Sequence, residues 1–134
     1  MAERLRPVSH LIKLVDACNR CSTVFRIANE HLRDDRFEDF SERLREILDL
    51  FVFELQKESR RNGAAEADPP RIYKMNCTNP ALLRVYASSE LQNAVEGYDA
   101  LLAGGLPGHA RAMVRRQRQA LDILLRDFRM LTVH

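Results

Sequence analysis

An all-α four-helix bundle is the architecture this sequence predicts. Apolar residues recur at three- and four-residue steps along four long stretches, and no segment alternates with the two-residue period of a half-buried strand. Asn, Pro and Gly collect in the gaps between those stretches, where helices are capped and stopped. The 134 residues, 46% apolar and 30% charged, suit a single domain, 1–134, that builds a core without disulfides or a structural metal.

The first helix, α1, is expected over about residues 7–32. Its stripe is Val8, Leu11, Val15, Cys18, Phe25, Ala28 and Leu32, with Pro7 in the first turn, where a missing N–H is harmless. The second, α2, is expected over about 36–62. Asp35 and Glu38 have the spacing of a capping box, Phe37, Phe40, Leu44, Ile47, Leu48, Phe51 and Leu55 share one face, and Asn62-Gly63 ends it. The third, α3, over about 80–103, opens on Asn79-Pro80 as N-cap and first helical residue. Its stripe reads Leu83, Tyr86, Glu90, Ala94, Tyr98 and Leu101, and Gly104-Gly105 stops it. The fourth, α4, over about 108–131, follows Pro107-Gly108 and carries Met113, Val114, Leu121, Leu124, Leu125, Phe128 and Leu131.

Short connections make α1–α2 and α3–α4 antiparallel hairpins. Between α2 and α3, Gly63 to Thr78 supplies about sixteen residues. Extended, they reach roughly 50 Å, against roughly 39 Å for a helix of about 26 residues. A long crossover that sets α3 parallel to α2 is therefore expected ahead of a simple up-down order.

Three stretches carry a family resemblance. They are Leu11-Ile12-Lys13-Leu14-Val15-Asp16-Ala17-Cys18 with Phe25 and Ala28 in α1, Phe53-Glu54-Leu55-Gln56 running to Asn62-Gly63 in α2, and Glu90 through Glu96-Gly97-Tyr98 to Leu106-Pro107. In these the chain resembles the bacterial ferritin-like four-helix bundles of unknown function, over most of its length. The resemblance implies two helical hairpins and a long middle crossover, and no settled reaction. Metal-active ferritin-like proteins take one Glu from the first helix of each hairpin and a Glu-x-x-His pair from the second. Here α1 offers Cys18 and Ser22 on the inward stripe, Glu54 is followed three residues on by Lys57, and α4 has Gln117 inward with no Glu. Ser22 lies about twelve residues before the α1–α2 turn and Glu54 about nineteen after it, a mismatch near 10 Å along the axis. The di-metal ligand set is thus incomplete.

The residues themselves offer a few candidates for chemistry. Glu90 falls on the expected core stripe of α3, as a residual metal ligand or as a carboxylate held by Gln117, Tyr or Arg. Cys18 and Cys21 form a Cys-x-x-Cys inside a helix, without the strand and helix N-terminus of a thioredoxin-like site. Glu54, Glu90, Cys18 and Cys21 form an atypical set for iron, copper or zinc, the alternative to small buried apolar residues. The sequence calls for no cofactor and names no catalytic residue. His10, His31, His109 and His134 lack metal-ligand spacing and read as surface or capping residues. Ser88 and Ser89 have no nucleophile elbow and no placed His.

The net charge of +2 implies neither nucleic acid nor membrane by itself. Locally, Arg111, Arg115, Arg118, Arg126 and Arg129 make a basic ridge on α4, a candidate binding surface, interrupted by Asp122. Glu38, Asp39, Glu42, Glu46 and Asp49 on α2 are expected to pair with it, within one chain or between subunits. Nucleic-acid binding through the ridge is the weaker reading, since no interleaved aromatics or helix-turn-helix accompany it. Leu14, Val24, Ile27, Val52, Phe53 and Ile72 lie off the main stripes, and a homodimer is the simplest cover for them. Without an apolar run that spans a bilayer, and with three cysteines, Cys18, Cys21 and Cys77, that cannot all pair internally, the expected location is the cytoplasm. The function expected is that of a non-catalytic binding or assembly module, with a metal-binding or redox protein as the alternative.

Overall fold

Four helices account for nearly all of the chain that the structure, a computed structural model, describes: the backbone of residues 2–61 and 79–133 and the side chains of 9–61 and 79–131. They are α1 Ala2–Leu32, α2 Asp35–Arg61, α3 Pro80–Leu102 and α4 Gly108–Val133, with no strand among the described residues. No helix among them is long and apolar enough to cross a membrane.

The helix ends follow from local chemistry. At the start of α3 the Asn79 Oδ1 accepts from the N–H groups of Ala81 and Leu82 at 3.0 and 3.4 Å, with Pro80 behind it. At its close Gly105 takes a φ of 78°, the left-handed conformation that glycine adopts without strain. The α2 cap differs from the expected Asp35–Glu38 box. Arg33 turns the chain with a φ of 47°, and Asp34 Oδ1 then accepts from Arg36 N and Phe37 N, so the cap stands one residue earlier. Likewise α1 begins at Ala2, which places Pro7 past the first turn it was expected to occupy.

In the bundle α1 packs against α2 and α3, and α4 against the same two, while the backbones of the diagonal pairs stay further apart among the described residues and α1 reaches α4 through side chains such as Phe25 and Phe128. Contacts fix the sense of the seams. His10 lies beside Gly104 and Leu14 beside Gly97, whereas Arg84 bonds Asp34 at 3.1 Å at the other end. On the second seam His109 meets Glu58, Arg116 meets Glu54 and Arg43 meets Asp127. In each pair of helices one number rises as the other falls, so α1 opposes α3 and α2 opposes α4.

The core is continuous. Near the α1–α2 turn Phe25, Phe37, Phe40 and Phe128 cluster, Phe25 stacking on Phe37 at 5.6 Å and meeting Phe128 edge-on at 5.2 Å. Leu48, Leu91, Ala94 and Leu121 continue it inward, and Leu11, Leu55, Leu101 and Leu106 fill the other end. Gly97 brings α1 and α3 together, because a Cβ there would stand 3.0 Å from Leu14 Cδ1.

Two expected faces shift. On α3 the buried row is Leu83, Ala87, Leu91, Ala94, Val95, Tyr98 and Leu101, which leaves Tyr86 exposed and Glu90 only partly covered. Counting from Leu83 through Tyr86 follows an adjacent row, and apolar Leu82, Val85 and Tyr86 blur the choice between rows. On α1, Leu14 and Val24 are buried within the chain and need no second subunit to cover them. Ile27 and Val52 are half-buried, Phe53 is exposed, and Ile72 lies outside the described residues.

Candidate functional site

The middle of the bundle holds a small polar group set into the apolar core. Tyr98 and Gln117 are fully buried on α3 and α4, each spaced into the apolar row of its helix, by Ala94 and Leu101 in one case and Val114 and Leu121 in the other. The Tyr98 hydroxyl donates to Gln117 Oε1 at 2.6 Å. Its oxygen stands 3.9 Å from Cys18 Sγ on α1, so the thiol is placed to donate in turn. Gln117 Nε2 is buried with no partner among the described residues.

These groups stay protonated. Burial pushes the Cys18 thiol up to about 12, with the Tyr98 hydrogen bond acting weakly the other way. Cys21, also buried, is raised by burial and then by the negative charge that Cys18 and Glu90 would present. Tyr98 is raised by burial and by Cys18 and Glu54. A neutral, enclosed thiol is a poor nucleophile, so the Cys-x-x-Cys has no activated sulfur.

Neither carboxylate completes the layer. Glu90 turns to Arg20 on α1 at 3.8 Å; burial raises its carboxyl above the usual range while Arg20 opposes the shift. Glu54 accepts from Arg116 on α4 at 2.5 Å. Cys21 lies near enough to feel the charge that Cys18 or Glu90 would carry, yet no three His, Cys, Asp or Glu side chains among the described residues stand together as a metal-binding group. The donor chemistry does not fit a dinuclear centre: each carboxylate is matched to an arginine, and the core between them holds a thiol, a phenol and an amide.

Comparison with known proteins adds no relative. No family model, curated protein or solved structure matches the chain.

The basic ridge of α4 is largely engaged inside the chain. Arg118 grips Asp99 of α3 through two nitrogen–oxygen contacts, Arg129 donates to Gln92 at 2.7 Å, and Arg126 pairs with Asp122 one turn back. Arg111 and Arg115 have no ion pair among the described residues. The ridge thus borders α3, whereas the acids Glu38, Asp39, Glu42, Glu46 and Asp49 of α2 are exposed to solvent and do not meet it.

One pairing lay beyond sequence reasoning. Glu58 is a buried carboxylate near the end of α2, and His109, read as a surface or capping residue, bonds it across the seam at 3.1 Å, with Arg61 3.9 Å away. Only the inter-helix register, which spacing within one helix does not report, brings these residues together.

Proposed function

We propose that the protein is a ferritin-like four-helix bundle of the cytoplasm, without a complete di-metal centre, that acts as a non-catalytic binding or assembly module and forms a homodimer. In this reading two antiparallel hairpins are joined by a crossover between α2 and α3. Support comes from the seams: Asp34 at the α1–α2 turn bonds Arg84 near the start of α3, and Glu58 near the end of α2 bonds His109 at the far end. Such contacts support that reading.

The observation that carries the functional reading is the Cys18–Tyr98–Gln117 chain. It fills the centre of the bundle with protonated, mutually bonded groups where a metal-active relative needs carboxylates and imidazoles. Elemental analysis of protein purified without chelator, with molar mass in solution, tests it. The expected result is no stoichiometric metal and a mass twice the 15.5 kDa of one chain.

The alternative is a metal-binding or redox protein that draws on Glu54, Glu90, Cys18 and Cys21 for iron, copper or zinc. Its support is that Cys18 and Glu90 each lie near enough to Cys21 to raise its thiol. One equivalent of metal per chain, lost on Glu90→Ala, would establish it and defeat the module reading. Nucleic-acid binding through Arg111, Arg115 and Arg118 is the weaker possibility, and a gel shift at low salt with no retarded species would end it.

A further inference from the structure

One face of α2 carries its charges in an order that matches a second copy of itself. Glu42, Glu46, Leu50, Phe53, Lys57 and Arg60 are all exposed, and at 3.6 residues per turn they fall within a sector of about 80°. Buried Leu44, Leu48 and Leu55 point the opposite way, so this sector is the part of α2 turned furthest from the other helices. Leu50 and Phe53, 57% and 65% exposed, stand at its centre. Both acids lie before them and both bases after them.

The flanking residues of α2 behave differently. Arg43, Glu54 and Glu58, turned toward α4, find ion-pair partners there, whereas Glu42, Glu46, Lys57 and Arg60 have none among the described residues. We infer that this face is the homodimer interface, with two α2 helices crossing antiparallel about a two-fold axis between Leu50 and Phe53. The proposal rests on the assembly reading above and names the surface that serves it.

Charge selects the antiparallel arrangement. Glu46 is four residues before Leu50 and Lys57 four after Phe53, so the axis sets Glu46 against the partner subunit's Lys57, twice by symmetry. Glu42 comes to the partner subunit's Arg60 in the same way, while Leu50 meets the partner subunit's Phe53. A parallel pairing would lay acid on acid and base on base, which opposes association.

Sedimentation of the full chain across concentrations, with charge-reversal variants, tests this. Wild type is expected to be a dimer. Glu46→Lys and Lys57→Glu each put like charges together at two symmetric places and should weaken it by at least about tenfold. The double variant restores opposite charges and should return dissociation to near the wild-type value; Phe53→Asp should give a folded monomer. A wild-type dimer that none of these variants weakens would place the interface elsewhere and leave the assembly reading standing. A wild-type chain that stays monomeric would overturn both this interface and the homodimer. If Phe53→Asp then also lowered that monomer's stability, the face would belong to the chain's own remaining segment.

Discussion

Tyr98 donates its phenolic hydrogen to Gln117 Oε1 at 2.6 Å across the α3–α4 seam, with both side chains shut off from solvent. A hydrogen bond of this kind contributes modestly while made and costs more when one partner is left alone. Tyr98→Phe strips Gln117, whose Nε2 has no partner among the described residues, of its bond to the phenol, and should lower stability by about 1–3 kcal/mol. Adding Gln117→Leu removes the stranded amide and should recover most of that loss. Urea melts of the two variants decide it; a Tyr98→Phe protein as stable as wild type would show that the bond contributes nothing.

The buried thiols make a kinetic prediction. With Cys18 pushed up to about 12 and Cys21 raised as well, almost no thiolate exists at pH 7.5, and both sulfurs are enclosed. In a Cys77→Ser background, a disulfide reagent should label neither thiol in the native protein and both in urea, at a native rate set by opening of the bundle. Rapid native labelling of either one would refute the enclosure.

How legible this molecule was in its sequence varies with the kind of contact. Helix number and most ends were readable because they are local: Asn79-Pro80 and Gly104-Gly105 act within a turn of themselves. Gln117 was readable as inward because Val114 and Leu121 bracket it at helical spacing. Glu90 was misplaced by one row, because α3 is apolar over much of its circumference. Leu14 and Val24 looked surplus because α1 touches two neighbours and buries a face wider than one stripe. The Glu58–His109 and Arg118–Asp99 pairs depend on how far one helix slides along another, which no spacing inside a helix encodes.

Gly97 lets two opposing effects be weighed. A glycine inside a helix is less favourable than alanine by roughly 0.5–1 kcal/mol. An alanine Cβ, however, would come to 3.0 Å from Leu14 Cδ1, the far end of a flexible side chain in a packed core. Small adjustments of Leu14 offset the gain, so Gly97→Ala should stay within about 1 kcal/mol of wild type in a urea melt. Gly97→Leu has no such escape, because it drives α1 from α3 around Tyr98, and should cost about 3 kcal/mol or more. Equal stability of the two variants would mean that the seam is looser than its geometry.

Glu90 predicts the direction of a pH effect. Burial raises its carboxyl above the ordinary 4.5, and Arg20 at 3.8 Å only partly opposes this. The folded chain therefore holds the Glu90 proton more tightly than the unfolded one. Its contribution to stability is fully present below the unfolded value and is lost as pH rises through the folded value. At pH 7 the ionised side chain is consequently a net burden, and Glu90→Gln should be the more stable protein, by no more than about 1 kcal/mol for a partly exposed pair. Below pH 4.5 wild-type Glu90 is protonated in both states, and the advantage should vanish. Added salt weakens the Arg20 attraction and should widen the gap at pH 7. Thermal melts of both proteins at pH 4 and 7, with and without salt, measure this; a variant less stable than wild type at pH 7 would mean that the Arg20 pairing outweighs desolvation.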